Sequence, residues 1–270
     1  MHITSRDNSL LRDARAVRDG KVDELIYVEG LRLAEEALRS GLIVEAVIYS
    51  DQIARKEIAT KFIEAVSAVA RRTASVSEKL LESISYTKTP QGIVLLAQRP
   101  ESSVQHLVEV VDPASLLVIL HQINNPVNVG AILRTAEAAG VAGVVATQRT
   151  TDPFSPKSLR GAMGSAFRLP IWRDAEYSEA IDWCYKRNIT TICTDASGET
   201  PYTAVDWRMS AALILGPEST GLHESELASA QKVVAIPMHG AVESLNVSVA
   251  AAIVLFEAAR QRGWVRAAQQ

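Results

Sequence analysis

The sequence predicts an α/β fold built in two parts, and three observations carry that expectation. Short apolar runs recur through the second half, at residues 115–120 (SLLVIL), 141–146 (VAGVVA), 190–194 (TTICT), 211–216 (AALILG) and 233–236 (VVAI). Helical stretches at 129–139 and 177–187 separate some of them. Runs that are apolar throughout, alternating with helices, indicate a parallel sheet covered on both faces. Finally, Ser244-Leu245-Asn246 opens a helix beginning VSVAAAIVLF, apolar on almost every face. Such a helix is expected to be buried on all sides.

The first half reads as a smaller α/β unit. A polar helix near 6–18 leads into a strand at 25–28, then a helix at 31–39 ended by Gly41. A strand at 44–49, a long helix at 56–71, a strand near 73–76 and a helix at 78–84 follow. The strand at 93–97 closes the unit. Pro100 and its polar neighbours over 98–103 mark a linker. The expected division is therefore 1–98, a linker over 99–112, and 113–270.

Length and composition exclude several classes. At 270 residues, 47% apolar and 22% charged, the chain is a soluble globular protein of one large or two ordinary domains. No apolar run reaches the roughly 20 residues that span a bilayer, so no membrane association is expected. The N-terminus lacks the apolar core of a signal peptide, and a cytoplasmic enzyme is the expectation. Two cysteines, Cys184 and Cys193, provide neither a disulfide framework nor a zinc site. Five scattered histidines (His2, His106, His121, His223 and His239) lack metal spacing and read as surface or packing residues.

The net charge of -3 does not suggest a nucleic-acid binder, but its distribution is uneven. Residues 149–173 hold five basic side chains against one acid, and residues 55–99 hold eight against four. Each cluster reads either as a solvated face or as part of a basic groove.

Ligands of open α/β sheets bind at the carboxyl ends of the strands. Four loops leave those ends with unusual residues: HQINNPVNVGAILRT after Leu120, DASGE after Thr194, GPESTGL after Leu215 and PMHGAVESLN after Ile236. Gly216 to Gly221 has P-loop spacing, but Leu222-His223 replaces the Lys and Ser/Thr that hold phosphate and metal. No GxGxxG opens the second half. Ser244 and Asn246 read either as helix caps or as site residues.

Taken together these loops resemble a known family. Asn124, Pro126, Asn128, Gly130, Ile132, Arg134 and Thr135 form one motif; Leu215-Gly216-Pro217-Glu218 with Gly221-Leu222 form a second. Ile236-Pro237-Met238 with Ser244-Leu245-Asn246-Val247-Ser248 form a third. In order and spacing they are similar to the three motifs of the SpoU/TrmH family, RNA ribose 2′-O-methyltransferases that use S-adenosylmethionine. Residues 158–165 and 167–170 also resemble it, so the likeness covers about 115–262. Residues 1–98 resemble, more weakly, the L30e-like RNA-binding unit of many members, through Thr4-Ser5, Asn8, Glu29-Gly30, Glu36-Ala37 and Thr89-Pro90-Gln91-Gly92. His121 stands where many members carry an acidic residue.

The resemblance implies a SPOUT-type fold whose C-terminal part is a trefoil knot, with residues 232–260 as the knotted tail and the last helix facing a second subunit of a homodimer. It implies S-adenosylmethionine as cofactor, met by the backbone at Thr194, Gly216, Ile236 and Leu245. Gly216 is expected there because a side chain would crowd the ligand. Arg134 lies six residues after Asn128, near one face of the same helix, and the family offers it as general base. A guanidinium is very hard to deprotonate, so stabilising the developing alkoxide or pinning a phosphate is the easier role. Asn128 would cap its helix or hold Arg134. Glu218 would orient either residue or act as base, and Ser244 and Asn246 would bond the ribose.

RNA contacts are expected at Arg6, Lys88, Gln91, Arg160 and Arg168, the last two beside the catalytic site. A 2′-hydroxyl target implies an unstacked nucleotide. Large-subunit ribosomal RNA is the expected substrate and transfer RNA the alternative. The reading from another class is a non-catalytic RNA-binding or ribosome-assembly protein. Against it stand Asn128, Arg134, Glu218, Ser244 and Asn246, all intact.

Overall fold

The computed structural model describes residues 1–112, 114–217 and 220–263. In chain order the first hundred residues form β1 (His2–Ile3), α1 (Ser9–Arg18), β2 (Leu25–Glu29), α2 (Leu31–Arg39), β3 (Val44–Ser50), α3 (Glu57–Val69), β4 (Arg72–Val76), α4 (Glu78–Ile84) and β5 (Ile93–Gln98). Next come α5 (Val104–Val110), β6 (Leu116–Leu120), α6 (Pro126–Ala138), β7 (Gly143–Thr147), α7 (Pro156–Ala162), α8 (Ser165–Arg168), β8 (Ile171–Ala175) and α9 (Tyr177–Lys186). The chain closes with β9 (Thr190–Thr194), β10 (Thr200–Pro201), β11 (Ala211–Leu215), α10 (Glu224–Ser229), β12 (Lys232–Ala235) and α11 (Val247–Gln261).

Two compact units result. The first holds Met1–Pro100 together with Phe154–Arg168; the second holds Glu101–Pro153 and the chain from Leu169 onward. The grouping of Phe154–Arg168 with the first unit has no counterpart in the linear sequence pattern. Helix α7 packs against β2 within that unit, and Phe154, Leu159 and Ala162 are buried.

The first unit is a five-stranded sheet in the order β1-β4-β3-β5-β2. Strands β1, β4 and β3 run parallel, and β5 runs antiparallel to both neighbours. The central β5 reads IVLLAQ, and its residues from Ile93 to Ala97 are fully buried, as an inner strand covered on both faces requires. Helix α1 buries Leu10, Leu11, Ala14 and Val17, one face of a 3.6-residue repeat, and Asn8 caps it by accepting the Leu10 N–H at 2.9 Å. Strand β1 is too short for any periodic signal. It exists because His2 and Ile3 pair with Ser75 and Val76 of β4.

The second unit is a seven-stranded sheet in the order β10-β12-β9-β11-β6-β7-β8, with every pairing parallel. Strands β6, β7 and β11 are buried at every residue. Strands β12, β9, β11 and β6 are consecutive neighbours in the sheet. Because all four point the same way, the four loops singled out above leave one edge of the sheet side by side. The stretch expected as a linker carries α5. Its Leu107 is fully buried, and a Cβ on Gly143 would lie 2.2 Å from Leu107 Cδ2, so this helix sits directly on the backbone of β7.

The expectation that the last helix is buried on all sides does not hold within one chain. Helix α11 packs Ala251, Val254, Leu255 and Ala258 inward, and α6 is among its neighbours. Val249 and Phe256 stay 47% and 37% exposed on its other face.

Candidate active site

The loop ends of β9, β11 and β12 and the start of α11 enclose a cavity of about 500 Å³. Thr194, Gly216, Ile236 and Leu245, the four residues expected to meet the cofactor, all line it, as do Ser244 and Asn246. Sequence reasoning missed four of its walls: Asp195, Leu222, Met238 and Glu243. Asp195 opens the DASGE loop, where its Oδ1 accepts the Ser197 N–H at 2.8 Å and the Ser197 hydroxyl at 2.6 Å. That turn presses on β12: a Cβ on Gly198 would lie 2.7 Å from the Val234 carbonyl carbon.

A side chain at Gly216 would meet the protein itself. Its missing Cβ would point at Leu222, 2.8 Å from Cγ and 3.3 Å from the backbone nitrogen. A side chain there collides first with the far end of its own loop, and through it with the cavity wall.

At the neighbouring strand, Asn125 caps α6 by accepting the Val127 N–H at 3.0 Å, with Pro126 at the first helical position. The capping role offered for Asn128 thus belongs to Asn125. Asn128 sits one turn in, only 5% exposed, and its Oδ1 accepts a 3.3 Å hydrogen bond from Asn246 Nδ2. Nor do Asn128 and Arg134 share a face: six residues are about 600° of helix, which leaves them roughly 120° apart. Asn128 is buried and Arg134 is exposed. Among the described residues Arg134 has no hydrogen-bond or ion-pair partner. Glu218 falls outside the described residues. Ser244 is exposed on the cavity rim, and Asn246 caps α11 by accepting the Ser248 N–H at 2.9 Å.

All five expected RNA contacts lie in the first unit, including Arg160 and Arg168. Gln91 and Arg160 line a cavity of about 240 Å³ together with Arg32, which the sequence reading missed. Arg6 lines a separate cavity of about 390 Å³ with Lys79. Lys88 is exposed, and Arg168 is paired with Glu36 at 2.6 Å. Among the described residues no group of His, Cys, Asp and Glu is placed to hold a metal, and no helix is long and apolar enough to cross a membrane.

The cavity has the size of small-molecule sites, about 300–1,000 Å³. Leu222, Ile236, Met238 and Leu245 offer apolar walls for a nucleobase, and Asp195 and Glu243 place carboxylates where a cationic ligand gains from them. This donor set suits S-adenosylmethionine, an adenine nucleoside carrying a sulfonium. A parallel α/β sheet with this cavity at its strand ends, beside a helix whose Arg134 has no partner among the described residues, fits the class that the sequence motifs imply: S-adenosylmethionine-dependent methyltransferases acting on RNA. The particular family follows from comparison with known proteins. Residues 115–256 match the SpoU rRNA Methylase family, and residues 13–95 match the MRM3-like substrate binding domain. The chain belongs to the SpoU rRNA methylase family.

Relatives span nearly its whole length. The 23S rRNA (guanosine-2′-O-)-methyltransferase RlmB of Bordetella pertussis is 31% identical over 87% of this chain and 94% of its own. The 23S rRNA (guanosine(2553)-2′-O)-methyltransferase RlmP of Bacillus subtilis is 31% identical over 94% and 97%. Among solved structures, the AdoMet-bound rRNA methyltransferase of Sinorhizobium meliloti superimposes with a TM-score of 0.85 at 29% identity, covering 96% of this chain and 97% of that one.

Proposed function

We propose that this protein transfers a methyl group from S-adenosylmethionine to a ribose 2′-hydroxyl of large-subunit ribosomal RNA, acting as a homodimer in the cytoplasm. The observation that carries the reading is that residues of the second and third motifs line one cavity with the loop after β9, while Asn246 on its wall is bonded to Asn128 of the first motif, on the helix that bears Arg134. The relatives named above, with that RNA as their target, support the substrate.

When bound, S-adenosylmethionine supplies a methyl carbon made electrophilic by its sulfonium. The chain's own residues align the acceptor with it and assist the loss of the hydroxyl proton. Arg134, exposed and without a partner among the described residues, pins the phosphate beside the target ribose and stabilises the developing alkoxide. Asn128 and Asn246 hold the cavity wall and α6 in one register, and Ser244 offers a hydroxyl to the ribose. The described residues leave the proton acceptor to Glu218 or to water. The segment 232–260 is proposed as the tail of a trefoil knot, supported by β11 lying between β9 and β6. Gln91, Arg160 and Arg32 form the RNA-facing cavity of the first unit, with Arg6, Lys88 and Arg168 as further contacts.

The test is to incubate the protein with methyl-labelled S-adenosylmethionine and either deproteinised large-subunit rRNA or bulk tRNA. Modified riboses are then mapped by their resistance to alkaline cleavage. Label at one alkali-resistant site of the rRNA is expected. Label confined to tRNA or to a base, or no label, refutes the reading.

A further inference from the structure

Outside the residues assigned above, the second unit contains a buried polar cluster at the root of both site loops. His121 directly follows β6 and is 3% exposed. Its backbone N–H still donates to the Leu215 carbonyl at the end of β11, at 2.9 Å, so the sheet fixes its position. The ring Nδ1 lies 2.9 Å from Thr147 Oγ1 at the end of β7, and Nε2 lies 2.9 Å from Glu226 Oε1 on α10. The other Glu226 oxygen accepts the His223 N–H at 2.8 Å. Tyr177 of α9 lays its ring 4.4 Å from that of His121 and donates its hydroxyl to the Glu226 carbonyl at 3.1 Å.

The carboxylate decides the proton position on the imidazole. A bare Nε2 at 2.9 Å from Glu226 Oε1 would set two lone pairs against each other, so Nε2 carries the proton and donates it. The Gln122 amide lies 3.1 Å from the same Nε2. Burial pushes the Glu226 carboxyl up, but the His223 N–H and the His121 ring outweigh it and hold the group ionised below the usual carboxylate range.

The placement matters because of what each partner adjoins. Immediately after His121, Gln122 takes a left-handed backbone with φ 53° and starts the loop to Asn125, Asn128 and Arg134. Four residues before Glu226, Leu222 lines the cavity together with Gly216, Pro217 and Gly221. We propose that the His121–Glu226 pair is a positioning device, bolting the root of the α6 loop to the root of the cavity loop. Neither residue touches the cavity, and both act through the loops they anchor. The inference rests on the methyltransferase reading above.

The test uses the full chain and His121→Phe, Glu226→Gln, their double variant and His121→Gln. Glutamine keeps shape at position 226 but has one acceptor oxygen where the carboxylate has two, so one of its two bonds is lost. Hydrogen exchange is read at residues 121–128 and 216–223, and kcat and the Kd for S-adenosylmethionine are measured alongside. Either single variant should speed exchange in both loops and lower kcat by roughly tenfold to a hundredfold, the cost of misplacing reacting groups by about 1 Å. The losses should not add in the double variant, because the singles share the His121–Glu226 contact, and His121→Gln, which can still donate to Glu226, should recover most of the protection. Unchanged exchange in both loops overturns the proposal, as do losses that add in the double variant. Exchange is read whether or not the wild type methylates RNA, so failure of the pair and failure of the enzymatic reading are distinguished.

Discussion

The side-chain amide of Asn246 donates to Oδ1 of Asn128 at 3.3 Å, across 118 residues of chain. Through its own Oδ1 the same Asn246 accepts the Ser248 N–H and hydroxyl, at 2.9 and 2.6 Å. One side chain therefore caps α11 with its oxygen and grips α6 with its nitrogen. The cap is realised, and the same residue lines the cavity.

The two roles separate in Asn246→Ser. Serine caps helices about as well as asparagine but is too short to reach Asn128. Stability should be nearly unchanged, whereas Asn246→Ala should lose about 1 kcal/mol. Methyl transfer by the serine variant should fall by at least roughly tenfold. Denaturant midpoints and single-turnover rates check this; a serine variant as fast as the wild type would sink it.

Arg134→Ala should abolish methyl transfer while leaving affinity for S-adenosylmethionine within roughly threefold, as expected of an interaction made only at the reacting centre. Arg134 is exposed and does not line the cavity, which motivates the split. Calorimetric titration alongside turnover is the measurement. Equal losses of affinity and activity would move Arg134 out of the proposed role.

Gly216→Val should eliminate cofactor binding, because the new Cβ meets Leu222 at 2.8 Å and drives it into the cavity. If that collision is the cause, Gly216→Ala with Leu222→Ala should bind better than Gly216→Ala alone. A normal titration for Gly216→Val contradicts the cavity assignment.

Light scattering at micromolar concentration should give twice the chain mass of 29.2 kDa. Val249 and Phe256 of α11 are exposed, as are Val242 and Leu245 just before it, at 47%, 37%, 56% and 37%. Grouped apolar exposure of this kind marks an interface. A species of the chain mass alone would refute the homodimer, and Val249→Lys should shift a true dimer toward monomer.

Burial pushes the Cys184 thiol up to about 12 and the Cys193 thiol up to about 11. The thiolate is the reactive form, so near pH 8 neither should react with a disulfide reagent until the protein is unfolded. Because the folded values are raised, the folded state holds the protons more tightly. The stabilisation is complete below the usual thiol value of 9.0 and is lost as pH rises from there through about 11 and 12. Denaturant midpoints should therefore decline across that window. Rapid labelling of either native thiol near pH 8 would contradict the burial.

Several elements were legible residue by residue. The limits of α2, α4 and β9 match the expected 31–39, 78–84 and 190–194, with Gly41 just past the first of these helices. The loops that form the cavity were legible too, because they follow buried strands and hold polar residues and glycines where the pattern should otherwise stay apolar. Others were not. The segment 99–112 looked like a linker because α5 is short and follows Pro100; only Leu107 seated on Gly143 makes it structural. His121 read as a packing residue because its partners, Thr147 and Glu226, are 26 and 105 residues away.

By itself the sequence determined the fold class, many of the longer strands and helices, and the loops that line the cavity. Periodicity and capping report the environment of each residue within a few neighbours, and these features depend on nothing more. The tertiary structure alone decided that β12, β9, β11 and β6 are neighbours, that Phe154–Arg168 joins the first unit, and that Asn128 turns inward to Asn246 while Arg134 turns out. Strand order and side-chain meetings across a hundred residues are set by hydrogen-bond registers and packing between distant segments, and no local pattern encodes which distant segment arrives.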